Sequence, residues 1–371
     1  MEAQMSLRRF LGLWCWLTVL AICGVLFSPR VFLAAPQNSG FRVIRTIPLG
    51  GTGEWDYVTV DSDAKRIYIP RSTHIMVLDE DSGKVVGDIQ GMNELHGVAV
   101  AMEFNRGFVT GNKSEKEGTV YIFDLKTLKL TNSIKSGSID TDSLIYDPDT
   151  KHVFVNNGDG ASLTVVDAAT EKVVGSMKYN ANPEAAVADG KGSIFNDLED
   201  KGQVMEYDAK TLMVKHKYST APCTNPVGLA MDKTNRRLYI ACRGKERSAP
   251  GVLVVMNADN GKVVASAPIA IGVDGTVFDP ETGDIFAPCR DIGDGKTGIT
   301  KIFHADSPDK ISPVADVKTI YGARTISLDP KTHHVFLIGT EKNDPVAPTA
   351  KEPHPRPEPD PTTFQVIEIG K

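Results

Sequence analysis

The stretch VVDAATEKVVGSM, from Val165 to Met177, decides the fold because variants of it recur along the chain. The sequence also reads VLDEDSGKVVGDI from Val77, VVMNADNGKVVASAP from Val254 and, more loosely, IFDLKTLKLTNSI from Ile122. Self-similarity at a fixed period of roughly 40 to 50 residues is typical of repeat architectures in which each repeat is one supersecondary unit. The 371 residues are therefore interpreted as one array of repeats and not as two or three unrelated domains.

Each repeat has the pattern of four short strands joined by tight turns. The strands are rich in β-branched and aromatic residues, as in RIYIP and HVFVN. Ser82-Gly83 and Asn260-Gly261 supply the positive φ that short hairpins need. An acidic residue ends the first strand of each unit and marks the register: Asp61, Glu103, Asp147, Asp189, Asp232, Asp279 and Asp329. This spacing predicts four-stranded blades of a β-propeller.

The number of repeats predicts a closed ring. Unit starts fall near Tyr57, Val98, Ser143, Ala186, Leu229, Thr276 and Ile326. The last unit stops three strands in, at TFQVIEIGK, whereas FRVIRTIPLG near the other end of the chain matches the missing fourth strand. We therefore expect an all-β, seven-bladed β-propeller as a single domain over residues 36–371, its last blade closed by the N-terminal strand.

The repeats resemble those of a known family. The units HVFVNNGDGASLTVVDAATEKVVGSM and RLYIACRG…GVLVVMNADNGKVV, with NPVGLAMD leading into a blade, are similar to the YVTN β-propeller repeats of YncE-like exported proteins. The resemblance covers nearly the whole chain after the N-terminal segment. It implies the fold and not a chemistry, because one fold supports many functions. The second, fourth and sixth units depart most from the pattern.

The N-terminus has the order of an export signal. Arg8 and Arg9 precede an apolar run from Phe10 to Phe27, and small residues follow at Ala34 and Ala35. We expect residues 1–35 to be a signal peptide and the mature protein to be periplasmic or secreted, without a membrane span. The alternative is an uncleaved membrane anchor, because the run approaches spanning length.

Charge and cysteine content narrow the function classes. The formal net charge is −6, and loss of residues 1–35 makes it more negative, which disfavours a nucleic-acid partner because such binding relies on excess positive charge. Cys223, Cys242 and Cys289 remain in the mature chain. Cys223 and Cys242 are a candidate disulfide in an oxidising compartment, and a metal site or buried free thiols are the alternatives.

Loop lengths differ between the two faces of the predicted ring. In an up-and-down blade, the loops before the first strand and between the second and third strands emerge on one face, which we call the loop-rich face. Here the second-to-third loops expand to CRGKERSAPG, CRDIGDGKTG and a Pro-rich insertion at about 343–363. Functional residues concentrate on variable loops held by a rigid scaffold, so any site is predicted on this face.

Charged residues are predicted around the channel mouth on the loop-rich face. Arginines there, including Arg71, suit carboxylate or phosphate ligands. The alternative is that the acids pair with these arginines or cap backbone amides. The ligand-binding candidates are Asp56, His96, Asp142, Glu184, Asn225, Arg243, Asp274, Arg290 and Arg324.

Two function classes follow. The first is a non-catalytic exported scaffold or binding protein that presents the loop-rich face to a small ligand or protein partner, because no complete catalytic constellation and no cofactor motif appears. The alternative is a lactonase- or hydrolase-type propeller enzyme with a divalent cation, Ca²⁺ or Zn²⁺, at the channel mouth. Its metal-ligand candidates are Glu54, Asp142, Glu184, Asn225 and Asp274.

Overall fold

The computed structural model describes residues 39–342, 347, 349 and 358–371. The predicted signal peptide, residues 1–35, lies outside the described residues, as does most of the Pro-rich segment. The described part is all-β apart from three short 3-10 helices at Met102–Phe104, Glu199–Lys201 and Pro361–Thr363. Within it, no helix is long and apolar enough to span a membrane.

Five separate antiparallel sheets have four strands each. The first two contain β2 (Thr59–Asp61), β3 (Arg66–Arg71), β4 (His74–Asp79) and β5 (Val85–Ile89), then β6 (Leu95–Ala101), β7 (Arg106–Ser114), β8 (Glu117–Asp124) and β9 (Lys129–Lys135). The next two contain β10 (Thr141–Asp147), β11 (His152–Asn157), β12 (Ser162–Asp167) and β13 (Lys172–Lys178), then β14 (Pro183–Ala188), β15 (Ser193–Leu198), β16 (Gln203–Asp208) and β17 (Val214–Ser219). The last contains β26 (Ile326–Asp329), β27 (His334–Gly339), β28 (Gln365–Gly370) and β1 (Arg42–Pro48).

The remaining strands form one eight-stranded sheet, which corrects the expectation of seven separate blades. Five blades stand alone, and the predicted fifth and sixth units are joined. The strands are β18 (Asn225–Asp232), β19 (Arg237–Arg243), β20 (Pro250–Asn257), β21 (Val263–Val273), β22 (Val277–Phe278), β23 (Asp284–Asp291), β24 (Thr297–Ser307) and β25 (Lys310–Ile320). The junction forms because β21 is extended, so that Ile271 pairs with Asp291 and Val273 with Cys289.

The recurring phrase folds as the hairpin between the third and fourth strands of a unit. At the end of β12, the Asp167 carboxylate accepts hydrogen bonds from the backbone N–H (2.6 Å) and the hydroxyl (2.7 Å) of Thr170. Glu171 then takes a left-handed conformation, with φ of 57°, and the chain returns as β13. Asp79 and Ser82 make the same pair of contacts in the first blade. A short Asx turn therefore explains the repeated sequence.

The acids that mark the register cap the turns after the innermost strands. Asp329, for example, accepts from the N–H groups of Lys331 (3.0 Å) and Thr332 (3.2 Å), and Asp189 from that of Ser193 (2.9 Å). Glu103 departs from this pattern and forms an ion pair with Lys151 at 2.5 Å. These acids serve turns, and they lie away from the loop-rich face.

Hydrophobic clusters lie between neighbouring units all the way round the ring. Between the first two blades, Tyr68 and Val77 pack against Val109 and Phe123. Each sheet therefore buries both faces against its neighbours, and the innermost strands are left to line a central channel.

The ring is closed by the N-terminal strand, as predicted. β1 pairs with β28 from Arg42↔Gly370 to Pro48↔Gln365. Arg45 reinforces the joint: its Nε lies 2.6 Å from Glu368 Oε2, and its terminal nitrogens donate to the carbonyls of Glu80 (2.5 Å) and Asp81 (2.7 Å). The two ends of the described fold are thereby fixed to each other and to the first blade.

Candidate functional site

The channel mouth on the loop-rich face has an acidic sector and a basic sector. Both are built by residues at two positions of the units: the start of the innermost strand, together with the residues just before it, and the end of the second strand. Asp56, His96 and Asp142 occupy the first position, and Arg243 and Arg290 occupy the second. The repeat thus places unlike side chains at equivalent points around one ring.

The acidic sector centres on His96. Its Nδ1 lies 3.0 Å from Asp56 Oδ2 and 3.7 Å from Asp142 Oδ1. One ligand atom from each of these three side chains falls within 4.8 Å of the others. Burial lowers the pKa of His96, but the hydrogen bond and the charge of Asp56 outweigh burial, so that the pKa is raised overall.

Further acids crowd the same sector. The Tyr57 hydroxyl donates to Glu184 Oε1 at 3.1 Å. Burial raises the pKa of Asp142 well above its ordinary value, and repulsion from Asp56 adds to the effect. Burial, followed by the charge of Asp142, does the same to the pKa of Glu184. The sector therefore holds more carboxyl groups than its single imidazole can compensate.

The basic sector surrounds a cavity of about 400 Å³. Asp274, 4% exposed, ties two arginines together: it contacts Arg243, and its Oδ2 lies 2.6 Å from Arg324 Nε. Arg243 also pairs with Glu199 at 2.9 Å. The lining residues are Glu199, Asn225, Arg243, Gly244, Lys245, Arg247, Gly272, Arg290 and Arg324. Five cations against one carboxylate make this lining strongly positive in an acidic protein.

Arg290 differs from Arg243 and Arg324 in its ion pairing. Within residues 39–342 and 358–371 no carboxylate forms an ion pair with it, and its guanidinium makes one long contact, 3.5 Å, to the Arg247 carbonyl. Its side chain packs over Gly272, which has φ of +73° and no room for a Cβ. Burial lowers the pKa of Arg290, and repulsion from Arg324, Arg247 and Arg243 acts in the same direction.

A second cavity of about 260 Å³ shares Arg290 and Arg324 with the first. Trp55 and Tyr321 supply its aromatic surface, and Lys342 Nζ lies 5.7 and 5.8 Å from their ring centroids. The two cavities together offer cationic donors beside aromatic faces. That combination suits an anion with an apolar or planar portion.

The sequence-predicted candidates separate into these sectors. Asp56, His96, Asp142 and Glu184 form the acidic sector, and Asn225, Arg243, Arg290 and Arg324 line the basic cavity. The five predicted metal ligands are not brought together: Glu54 lines the aromatic cavity, Asn225 the basic cavity, and Asp274 is neutralised by two arginines.

Arg71 takes neither of the roles that the sequence left open for it, which were binding an anionic ligand and pairing with an acid. The side chain is 1% exposed and donates to the carbonyls of residues 50–53 at 3.0 to 3.2 Å. Its guanidinium also stacks 3.7 Å from the Phe364 ring centroid. Burial lowers its pKa to about 10. Arg71 is a structural residue because a glycine-rich loop wraps around it.

Several site residues were missed from the sequence. Tyr57 directly follows a predicted candidate, and Lys245 and Arg247 lie in the expanded loop CRGKERSAPG. Asp197 and Glu199 fall at the end of the second strand in the fourth unit, near the position of Arg243 and Arg290 in theirs. Comparing that position across all units would have found them.

The disulfide between Cys223 and Cys242 is present, with a Cα–Cα distance of 5.6 Å. It ties the loop before β18 to the end of β19, next to Asn225 and Arg243 of the basic cavity. Cys289 is free and buried, and burial raises the pKa of its thiol to about 12. The Cys223–Cys242 disulfide therefore braces one wall of the basic cavity.

The fold and the channel define a β-propeller, and comparisons with known proteins agree. The crystal structure of RRP9 WD40 repeats superposes with a TM-score of 0.69 at 9% identity, covering 91% of this chain and 99% of that one. A chain of a mitotic checkpoint complex gives 0.68 at 10% identity, covering 100% and 99%. Hydrazine synthase of Kuenenia stuttgartiensis gives 0.64 at 15% identity, covering 77% and 94%. At these identities the likeness concerns the fold alone.

In sequence, the chain is 24% identical over 215 residues to the uncharacterized protein YncE of Salmonella typhimurium. The match covers 56% of this chain and 48% of that protein, about half of the relative's length. No family model matches the chain. The protein is a β-propeller related to YncE, which confirms the resemblance found in the repeats.

Proposed function

We propose that the protein is an exported, non-catalytic binding protein that holds a small anionic ligand in the arginine-lined cavity of its loop-rich face. The observation that carries the proposal is Arg290, a half-buried guanidinium without a carboxylate partner in the described part of the chain. An unpaired, partly desolvated cation is costly unless an anion compensates it. Its three arginine neighbours increase that cost.

The chemistry of the cavity identifies the class of ligand. Guanidinium groups bind carboxylates and phosphates through paired N–H donors. Arg243 and Arg324 are already engaged by Asp274, so Arg290 and Arg247 provide the donors that have no carboxylate partner among the described residues. Trp55 and Tyr321 in the adjoining cavity favour a ligand that carries an apolar or planar part beside its anionic group.

Export is proposed on two grounds. The first is the charged, apolar and small-residue order of residues 1–35. The second is the Cys223–Cys242 disulfide, because such bonds persist in oxidising compartments. Mass measurement of the protein recovered from the periplasm or medium should give a chain that begins at Pro36, whereas an intact N-terminus would contradict cleavage.

Anion binding is tested by the thermal melting of the purified protein with phosphate, sulfate, succinate and citrate, and with glucose as a neutral control. A ligand that binds the folded state at about 100 times its Kd stabilises it by ~2.7 kcal/mol. We expect at least one anion, and not glucose, to raise Tm.

Arg290→Gln should abolish that rise, because it removes the unpaired cation but keeps most of the stem that packs over Gly272. The matched control is Arg42→Gln, since the exposed Arg42 lies on β1 and, among the residues that the structure describes, has one partner, the Gly40 carbonyl. No anion effect in the wild type, or an equal effect in Arg290→Gln, would exclude this cavity as the binding site.

A metal-dependent hydrolase is the second candidate function. The grouping of Asp56, His96 and Asp142 favours it, because a metal held there with an open position could polarise a carbonyl and acidify water. Lactone hydrolysis that depends on added Zn²⁺ or Ca²⁺ and is lost in Asp142→Asn would support the enzyme. Metal-loaded protein without hydrolysis would leave the binding function.

A further inference from the structure

The acidic sector contains a set of donor atoms that is distinct from the anion cavity. One ligand atom each from Asp56, His96 and Asp142 lies within 4.8 Å of the others. The two distances from the imidazole nitrogen are 3.0 and 3.7 Å. Asp56 lies just before β2, and His96 and Asp142 are the second residues of β6 and β10; each donor therefore comes from a different blade, and the ring itself sets their spacing.

These distances match tetrahedral coordination. Zn–N and Zn–O bonds of about 2.0 to 2.2 Å at tetrahedral angles separate neighbouring ligand atoms by roughly 3.3 to 3.5 Å. The two distances from the imidazole nitrogen bracket that value, and side-chain rotations that bring the two carboxylates to the same separation would complete the geometry. Three protein ligands also leave a fourth position open.

The donor types distinguish between metals. Imidazole suits Zn²⁺ and similar transition ions, whereas Ca²⁺ takes six to eight oxygen ligands. One imidazole with two carboxylates therefore favours Zn²⁺ over Ca²⁺. This narrows the two cations expected from the sequence to one.

Buried carboxyl groups in the same sector point independently to a cation. Apart from His96, no cation in the described part of the chain forms an ion pair with Asp56, Asp142 or Glu184. Asp197 is fully buried, and neither of its carboxylate oxygens has a hydrogen-bond partner. Glu184 lies close enough for its charge to act on Asp197. Buried carboxyl groups without partners are costly and are found where a charge of opposite sign binds.

We infer that Asp56, His96 and Asp142 bind one divalent transition-metal ion of the Zn²⁺ type at the channel mouth, with a fourth coordination position open to solvent or ligand. The inference does not depend on anion binding by Arg290. It concerns different side chains and a ligand of opposite charge.

The test is calorimetric titration of the purified, chelator-treated protein with Zn²⁺, and separately with Ca²⁺. We expect one equivalent of Zn²⁺ to bind and Ca²⁺ to bind far more weakly. Loading with Co²⁺ provides a second readout, since a tetrahedral site gives intense visible absorption bands.

Asp142→Asn and His96→Gln should each weaken Zn²⁺ binding by ~100-fold or more, because each removes one of three ligands. Both variants should fold, since Asn relieves repulsion and Gln can still hydrogen-bond to Asp56; metal-free melting curves check this. The matched control is His334→Gln, because His334 Nδ1 lies 2.7 Å from a single carboxylate, that of Glu368. The control should bind Zn²⁺ like the wild type.

Two results would overturn the inference. One is the absence of stoichiometric Zn²⁺ binding, which would leave His96 as an ion-pair partner of Asp56. The other is binding that Asp142→Asn and His96→Gln do not weaken, which would place the metal elsewhere. If Zn²⁺ binds as expected while anions have no effect on melting, the metal site stands and the proposed anion function fails.

Discussion

A buried proton shared between the first and last blades makes the stability of the ring depend on pH. Glu80, directly after β4, is 5% exposed. Burial raises its pKa to about 8, and a hydrogen bond to Asp329 contributes. Burial opposes ionisation of Asp329 as well, but hydrogen bonds from Ser62, Thr332 and the turn amide of Lys331 hold its pKa at about 2. Glu80 therefore carries the proton.

The direction of this pH dependence follows from the pKa of Glu80 in the folded and the unfolded states. The pKa of Glu80 is about 8 in the folded protein against the ordinary 4.5, so the folded state binds more protons between these values. Stability is highest below about pH 4.5, falls as the pH rises, and levels off above about pH 8. At ~1.4 kcal/mol per pH unit, the whole loss is at most ~5 kcal/mol, of which roughly half falls between about pH 6 and about pH 9.

Glu80→Gln should remove this loss, because the amide is neutral at every pH and can still donate to Asp329. The unfolding entropy of about 2.1 cal/mol/K per residue converts ~2.5 kcal/mol into a Tm change of ~4 °C for a fold of this size. We therefore expect Tm to fall by ~4 °C less in Glu80→Gln than in the wild type between about pH 6 and about pH 9.

The assay is thermal melting at a series of pH values. Glu117→Gln is the matched control, because a hydrogen bond from Lys135 lowers the pKa of Glu117 and keeps it ionised throughout that range. An equal decline of Tm with pH in Glu80→Gln and the wild type would refute the shared-proton argument.

Two further predictions concern the braces of the loop-rich face. Replacing Cys223 and Cys242 by serine should lower the free energy of unfolding by ~3 kcal/mol, because the bond closes a loop with a sequence separation of 19. Dithiothreitol should lower Tm in the wild type but not in the double variant. Equal responses of the two proteins would contradict this prediction. Arg71→Met should lower the free energy of unfolding by ~3 kcal/mol or more. The carbonyls of residues 50–53 lose their hydrogen-bond donor, and the Phe364 ring loses the guanidinium stacked on it. Urea unfolding checks it, and a wild-type midpoint would show that water replaces the guanidinium at little cost.

The fold was predictable because its determinants are local and repeated. Asp167 and Thr170 fix one hairpin through contacts three residues apart, and the same chemistry at Asp79 repeats it. The junction of the fifth and sixth units was not predicted. It depends on β21 continuing to Val273 and pairing across a unit boundary, and no turn residue signals such a non-local extension.

The site was predictable in position but not in pairing. Repeat register placed His96, Asp142, Arg243 and Arg290 around the channel mouth. Which acid neutralises which arginine depends on side-chain distances of a few ångströms, as at Asp274, and repeat spacing does not determine these. Arg71 illustrates the difference, since its register resembles that of Arg290 but its neighbours are backbone carbonyls.

The pairing of β1 with β28 also has a consequence for the order of assembly. The strand that completes the final sheet is synthesised first, and its partners, more than 300 positions later, are synthesised last. If the chain crosses a membrane from its N-terminus, this early strand must wait on the far side with unsatisfied backbone donors until the C-terminal strands emerge. Pairing of β1 with β28 then requires that the chain has emerged as far as Gly370, and a chain truncated before Gln365 would leave the early strand unpaired as a target for proteases.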